Sequence, residues 1–152
     1  MTKLERQLAE TFKAARWFRS EGQPSCPGCY DGRDLDPPTP IDGQPGLFRY
    51  HCRACDRTFS DLSDTPFRSN RRSILWWAHL LLGGDAQAVT HAKLGASQTR
   101  RILAAAPVAG RWAVALAQAG IDVTVLRRAI DQQQRAAGSV PVRQPRGRGA
   151  RR

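Results

Sequence analysis

Cys26-Pro27-Gly28-Cys29 and Tyr50-His51-Cys52-Arg53-Ala54-Cys55 decide the reading of this chain: two Cys-x-x-Cys pairs, set well apart, that use every cysteine in the sequence. Each pair presents two thiolates on one side of a tight bend, and two such bends supply the four soft ligands of a tetrahedral zinc ion. The expected cofactor is one structural Zn2+ held by Cys26, Cys29, Cys52 and Cys55, with no coordination position open to water. Metal binding is then expected to supply much of the local folding energy, on the order of 10 kcal/mol apparent at neutral pH. Two disulfides in a secreted protein are the competing use of the same residues. Met1 runs into charged Lys3, Glu5 and Arg6 with no apolar signal segment, which points instead to a reducing, cytoplasmic compartment. A redox switch is the other alternative, disfavoured by the full set of four ligands. His51 alternates to the strand face opposite Cys52 and reads as a surface residue rather than a ligand.

Outward from the pairs, residues 25 to 67 read as a small zinc ribbon. Phe48, Tyr50 and Cys52 alternate in a strand entering the second bend, and Thr58 to Ser60 leaves it. The stretch from Asp31 to Gly46 is rich in Pro, Gly and Asp and reads as a solvated connection. A ribbon of this size buries too little to stand alone. The preceding segment offers a partner: Thr2 to about Ser20 reads as an amphipathic helix, with Thr2 and Glu5 in capping-box spacing and Leu4, Leu8 and Phe12 on one face. Trp17 and Phe18 extend that apolar surface toward the ribbon.

Downstream, Arg71 to Leu82 reads as a helix with Ile74, Leu75, Ala78, Leu81 and Leu82 in one buried stripe, stopped by Gly83-Gly84. Of the adjacent Trp76 and Trp77, one is expected in the core and the other partly exposed; His79 and His91 read as packed or surface residues. Asp85 caps a second helix to Lys93, Leu94-Gly95-Ala96 turns, and Ser97 caps a third helix through about Ala106, ended by Pro107. That is the layout of a helix-turn-helix. Two further helices, Val108 to Ala119 and Val123 to Ala137, flank Gly120; Val125, Leu126 and Ile130 give the second an apolar face for packing or for a dimer interface. From Gly138 the chain is rich in Arg, Gly and Pro and is expected to be disordered when free. The expected fold class is mainly α with a small β zinc ribbon, divided into residues 1–22, 23–67, 68–107, 108–137 and 138–152.

Charge is distributed unevenly. The net charge is +11, yet up to Phe67 nine Lys/Arg face ten Asp/Glu, whereas from Arg68 onward fifteen face three. Such clustering suits a polyanion whose counterions are released on binding. No membrane role is expected: the longest apolar stretch, Ile74 to Leu82, is too short and contains His79. Double-stranded DNA is the expected partner, met by a homodimer or within a larger nucleoprotein complex; single-stranded DNA or RNA stays open as an alternative, because phosphate contacts do not distinguish them. Ser97, Gln98, Thr99, Arg100 and Arg101 begin the third helix, where Gln can pair with adenine and Arg with guanine or phosphate. Arg68, Arg71 and Arg72 would position the protein on phosphates. Pro145-Arg146-Gly147-Arg148 resembles the centre of an AT-hook, with Arg146 and Arg148 in a narrow minor groove or simply on phosphates.

Cys26-Pro27-x-Cys29, Tyr50-x-Cys52-Arg53-x-Cys55, Thr58-Phe59-Ser60-Asp61 and Thr65-Pro66-Phe67 together resemble the transposase-like zinc ribbon at the amino end of several bacterial insertion-sequence transposases. The similarity is close over residues 25 to 67 and looser to about Leu103. In that family the ribbon precedes a helix-turn-helix, and the two recognise the ends of the mobile element. The resemblance implies a nucleoid-associated bacterial protein: a mobile-element accessory or regulatory protein, or a transcription regulator related to the DNA-recognition half of a transposase. The family's catalytic domain uses three carboxylates and two divalent ions. After Leu103 this chain has only Asp122 and Asp131, so no enzyme is expected. The helix-turn-helix also departs from the usual pattern at His91 and Arg101: either its third helix is rotated so that Ile102 and Leu103 face inward, or the module is degenerate. The alternative function is an adaptor within a larger nucleoprotein or transposition complex, docking through the acidic loop Asp31 to Asp42 and the final helices.

Overall fold

The capping box at the amino end is closed in the computed structural model. Thr2 N–H donates to Glu5 Oε2 at 2.7 Å, and Glu5 N–H donates to Thr2 Oγ1 at 3.1 Å. A cap of this kind stabilises its helix by about 1 kcal/mol. Helix α1 runs Lys3–Arg16 and buries Leu8, Ala9, Phe12 and Ala15 at helical spacing. It is shorter than the sequence reading: a 3-10 turn, Phe18–Ser20, follows it, and Glu21 and Gly22 take positive φ. The structure describes residues 1–30, 32–68, 73–83, 100–101, 104 and 107–138.

Three antiparallel strands follow, β1 (Thr39–Pro40), β2 (Phe48–Cys52) and β3 (Arg57–Ser60), in the spatial order β1-β2-β3. Tyr50 pairs with Phe59, and their rings stack at 5.3 Å. The connection before β2 is therefore not simply solvated loop. It supplies β1, bridges Leu35 to Cys52, and buries Leu47 and Gln44. A two-residue strand containing proline is tolerated because it lies at the sheet edge, where a missing N–H costs no ladder bond. Gly46, at φ +81°, lets this loop press on α1: a Cβ there would lie 2.7 Å from that of Ala9.

Thr65-Pro66-Phe67 hands the chain from sheet to helices. Thr65 Oγ1 donates to the Leu62 carbonyl at 2.7 Å and accepts from Phe67 N–H at 3.2 Å, while Phe67 stacks on Trp77 at 5.0 Å. Helix α2 is Ile74–Leu81, with Gly83 at φ +85° just beyond it. The single stripe expected for α2 is wider in the structure. Trp77, His79 and Leu80 are buried with Ile74, Leu75 and Ala78, whereas Leu81 and Leu82 are only half-buried. The cause is position, because α2 touches all three other helices, and a helix surrounded by neighbours needs an apolar girdle. Trp77 is the core tryptophan and Trp76 the partly exposed one.

Pro107, expected just before a helix at Val108, is itself the first residue of one. Helix α3 is Pro107–Gln118, with proline at the first position, where its missing N–H is no loss. It ends at Gly120, with Ile121 N–H to the Leu116 carbonyl at 3.0 Å and Gly120 N–H to that of Ala117 at 3.1 Å. Asp122 Oδ1 then accepts from Val125 N–H at 2.9 Å to start α4, Val123–Gly138. Leu126 and Ile130 are buried against the same core, while Val125 stays partly exposed. The core centres on Phe12, Phe67, Trp77 and Trp112, with the Phe12 ring 5.1 Å from Trp112 and 5.5 Å from Phe67. Gln133 Nε2 donates to Glu5 Oε1 at 2.8 Å, tying α4 to the start of α1.

Among the described residues, the elements are four helices and one small antiparallel sheet, and no helix is long and apolar enough to cross a membrane.

Candidate metal centre

The sheet carries its own small core under the cysteines, formed by Trp17, Cys26, Tyr50, Cys52 and Phe59. At its base Asp61 is fully buried. The carboxylate accepts from Trp17 Nε1 at 2.8 Å, from Phe48 N–H at 2.7 Å and from the Tyr50 hydroxyl at 3.1 Å. Burial pushes Asp61 above its usual range, and these three donors oppose that rise. Burial and the nearby Asp61 charge likewise push Tyr50 up, keeping its hydroxyl a donor. Trp17 thus clamps α1 to the sheet through an ionic hydrogen bond between residues far apart in sequence. Phe18, expected to extend that contact, instead points outward and is 63% exposed.

The two cysteine turns rise from this base with the same backbone design. In the first, Tyr30 N–H reaches the Cys26 carbonyl at 2.7 Å, and Gly28 N–H points at Cys26 Sγ from 3.4 Å. The residue after the second cysteine takes a left-handed conformation in both turns: Tyr30 at φ 55° and Asp56 at φ 59°. Gly28 lies close under the Arg57 side chain at the start of β3: a Cβ there would come 3.1 Å from Arg57 Nε, so that side chain would have to shift slightly.

The sulfurs converge. Cys26 Sγ lies 3.4 Å from Cys55 Sγ, Cys29 Sγ lies 3.5 Å from Cys52 Sγ, and all four sit within 4.8 Å of one another. A disulfide would need about 2.05 Å, so none is formed. A tetrahedral ion with metal–sulfur bonds of about 2.3 Å has sulfur–sulfur edges of ~3.8 Å, which falls inside the observed spread. Four thiolates without oxygen or nitrogen ligands suit one soft or borderline metal ion in a closed site. Burial alone would raise the Cys26 thiol, but the N–H groups of Cys29 and Gly28 and the Cys55 and Cys29 thiols bring it down to about 6. Donation to Cys26, followed by burial, pushes Cys55 up. Cys26 is accordingly the more readily ionised of the pair.

His51 is turned away from the sulfurs, as expected. Its Nδ1 lies 2.6 Å from Asp36 Oδ2 and its Nε2 lies 2.7 Å from Asp56 Oδ1. The hydrogen bonds to Asp36 and then Asp56 raise its pKa. The imidazole braces the second turn against the segment ahead of β1.

The other candidates are distributed as follows. Arg68 is exposed, with its N–H 3.3 Å from the Thr65 carbonyl. Arg100 and Arg101 are exposed in a helical turn, in which Ala104 N–H reaches the Arg100 carbonyl at 2.8 Å. Arg71, Arg72, Ser97, Gln98, Thr99, Arg146 and Arg148 lie outside the described residues, as does His91. Reading the sequence missed the role of Asp61, although its place directly after Thr58-Phe59-Ser60 was the available signal. No protein-family model, curated protein or solved structure matches the chain.

Proposed function

We propose that this chain is a zinc-containing, nonenzymatic DNA-binding protein, in which a zinc ribbon leads a helix-turn-helix and a basic tail. It would serve as a mobile-element accessory or regulatory protein, or as a transcription regulator, related to the recognition half of insertion-sequence transposases. The observation that carries the reading is the convergence of four cysteine sulfurs from two like-built turns, the closed donor set that structural zinc prefers. The motif residues beyond the metal support it, because each has a structural use: Asp61 holds Trp17 and Tyr50, and Phe67 fills the core. The excess of cationic residues after Phe67 supports the polyanion partner.

The test is to purify the protein with its native metal, count zinc per chain by elemental analysis, and measure duplex binding across a salt series. One zinc per chain and an affinity that falls steeply with salt are expected. Binding that stays flat as salt rises, or cystines in place of metal, would sink the reading. Sequencing the DNA fragments retained by the zinc-loaded protein would then define its target.

One observation favours the second reading, an adaptor in a nucleoprotein complex. Phe18 and Val114, 63% and 58% exposed, line one groove between α1 and α3, and exposed large apolar residues gathered in one place mark contact surfaces. Deletion from Gly138 onward separates the two: an adaptor keeps its protein partner, whereas a tail-dependent DNA binder weakens sharply.

A further inference from the structure

The first cysteine turn shares a cleft with the two helices beside it. Arg16 and Arg19 come from the end of α1 and the turn after it, Pro27 and Tyr30 from the cysteine turn, and Val108 and Arg111 from α3; the cleft holds about 520 Å³. Three guanidinium groups line it against one carboxylate, Asp64, and among the described residues none of the three closes an ion pair. Arg16 is the most exacting of them. Its Nε is buried with no hydrogen-bond partner, and its guanidinium lies over the Trp17 ring at 4.2 Å. Burial lowers its pKa; Asp64 and Asp61 oppose that from a distance, and the charge of Arg111 adds to it. Arg111 is held in place by its Nε, which donates to the Ala15 carbonyl at 3.1 Å.

Like charges gathered around a concave site, with too little counter-charge among their neighbours, are arranged for an anion, and arginine forks match phosphate oxygens in pairs. The first turn of α3, at Pro107 and Val108, adds the positive end of a helix dipole to the same wall. Tyr30 points to the kind of anion. Its side chain is 85% exposed at a backbone φ of 55°, which costs a non-glycine residue roughly 1 kcal/mol, and an aromatic ring at a cationic rim is the arrangement that meets nucleic acid.

We propose that this cleft is a further DNA contact, in which Arg16, Arg19 and Arg111 hold backbone phosphates and Tyr30 packs on the adjoining nucleotide. The proposal rests on the DNA-binding reading above and adds a role for the metal turn: the ribbon presses on the DNA instead of only supporting the helices.

The experiment uses the full metal-loaded chain and a fluorescein-labelled duplex of mixed sequence, with binding followed by anisotropy over a potassium chloride series. Arg19→Gln should lower the slope of log K against log salt by about 0.9, the value for one phosphate contact. Arg19→Gln with Arg111→Gln should lower it by about 1.8 and weaken binding roughly tenfold or more at moderate salt. Tyr30→Ala should weaken binding with the slope unchanged. Arg6→Gln, on an exposed part of α1 about 15 Å along the helix from Arg16, should change neither quantity. Because Arg111→Gln also removes a structural bond, the single Arg19→Gln variant, whose side chain makes no such bond, decides the matter if the double variant melts early. Wild-type-like slopes in the arginine variants, or an equal fall in Arg6→Gln, would overturn this proposal alone. A wild-type protein with no salt-sensitive duplex binding would overturn the DNA-binding reading and the cleft with it.

Discussion

The two cysteine turns share a backbone and differ in company. Both place a residue with positive φ directly after the second cysteine, yet that residue is Tyr30 in one and Asp56 in the other. Around the first turn stand Arg16, Arg19 and Arg111; around the second, Asp36 and Asp56 bracket His51. A shared ligand geometry constrains the turns and leaves the flanking side chains free to diverge. His51 and Arg53 of the second turn are engaged by Asp36 and Asp56, whereas the three arginines beside the first turn close no ion pair among the described residues.

The widest test of that likeness is to break each turn in the same way. With the proposed zinc bound, Cys26→Ser and Cys52→Ser should both lower metal content and unfold the sheet, forfeiting most of the about 10 kcal/mol that a structural zinc would contribute. Metal content and far-ultraviolet circular dichroism report the loss, and unequal losses would mean that one turn folds without the ion. Next in size is the base beneath both turns. Asp61→Asn should cost about 1–3 kcal/mol, because three buried donors converge on two carboxyl oxygens and an amide NH2 in place of one oxygen leaves at least one of them unpaired. Its pH dependence has a definite sign. Since Asp61 is raised above 3.8 in the folded protein, its contribution is fully present below that value and is lost as pH rises through the folded pKa. The gap between wild type and Asp61→Asn in urea midpoints should therefore narrow as pH rises, and a widening gap would refute the assignment. Smallest is the contrast between the turn residues themselves. Tyr30→Gly relieves the left-handed backbone and should leave stability unchanged or raise it by up to about 1 kcal/mol. Asp56→Gly gains the same relief but loses the 2.7 Å contact with His51, so its net change in thermal unfolding should be smaller.

Residue spacing alone carries much of this architecture. The capping box at Thr2, each cysteine pair, the strands around Tyr50 and Phe59, and the helix junction at Gly120 are all written in residues a few positions apart; the cap at Asp122 emerged only from the structure. What spacing could not reveal depends on distant partners. Whether Phe18 faces in or out is decided by where α3 lies. The strand at Thr39–Pro40 exists because β2 offers it an edge, although the local composition favours a loop. Asp61 is buried because Trp17, many residues earlier, supplies a donor. Pro107 is equally compatible with ending one helix and starting another, and only the packing of Val108 and Trp112 against α1 and its neighbours decides. The arginine cleft likewise joins three segments that no local pattern connects.

The hydrogen bond from Gln133 to Glu5 links residues 128 positions apart, whereas Trp17 reaches Asp61 across only 44. As the chain leaves the ribosome, the cysteine module has all its pieces once Asp61 has emerged. The apolar face of α1 must wait until α3 and α4 have been made. Synthesis from the amino end therefore exposes the apolar face of α1 for longer than the cysteine module, the interval in which a chaperone or a second chain would find it.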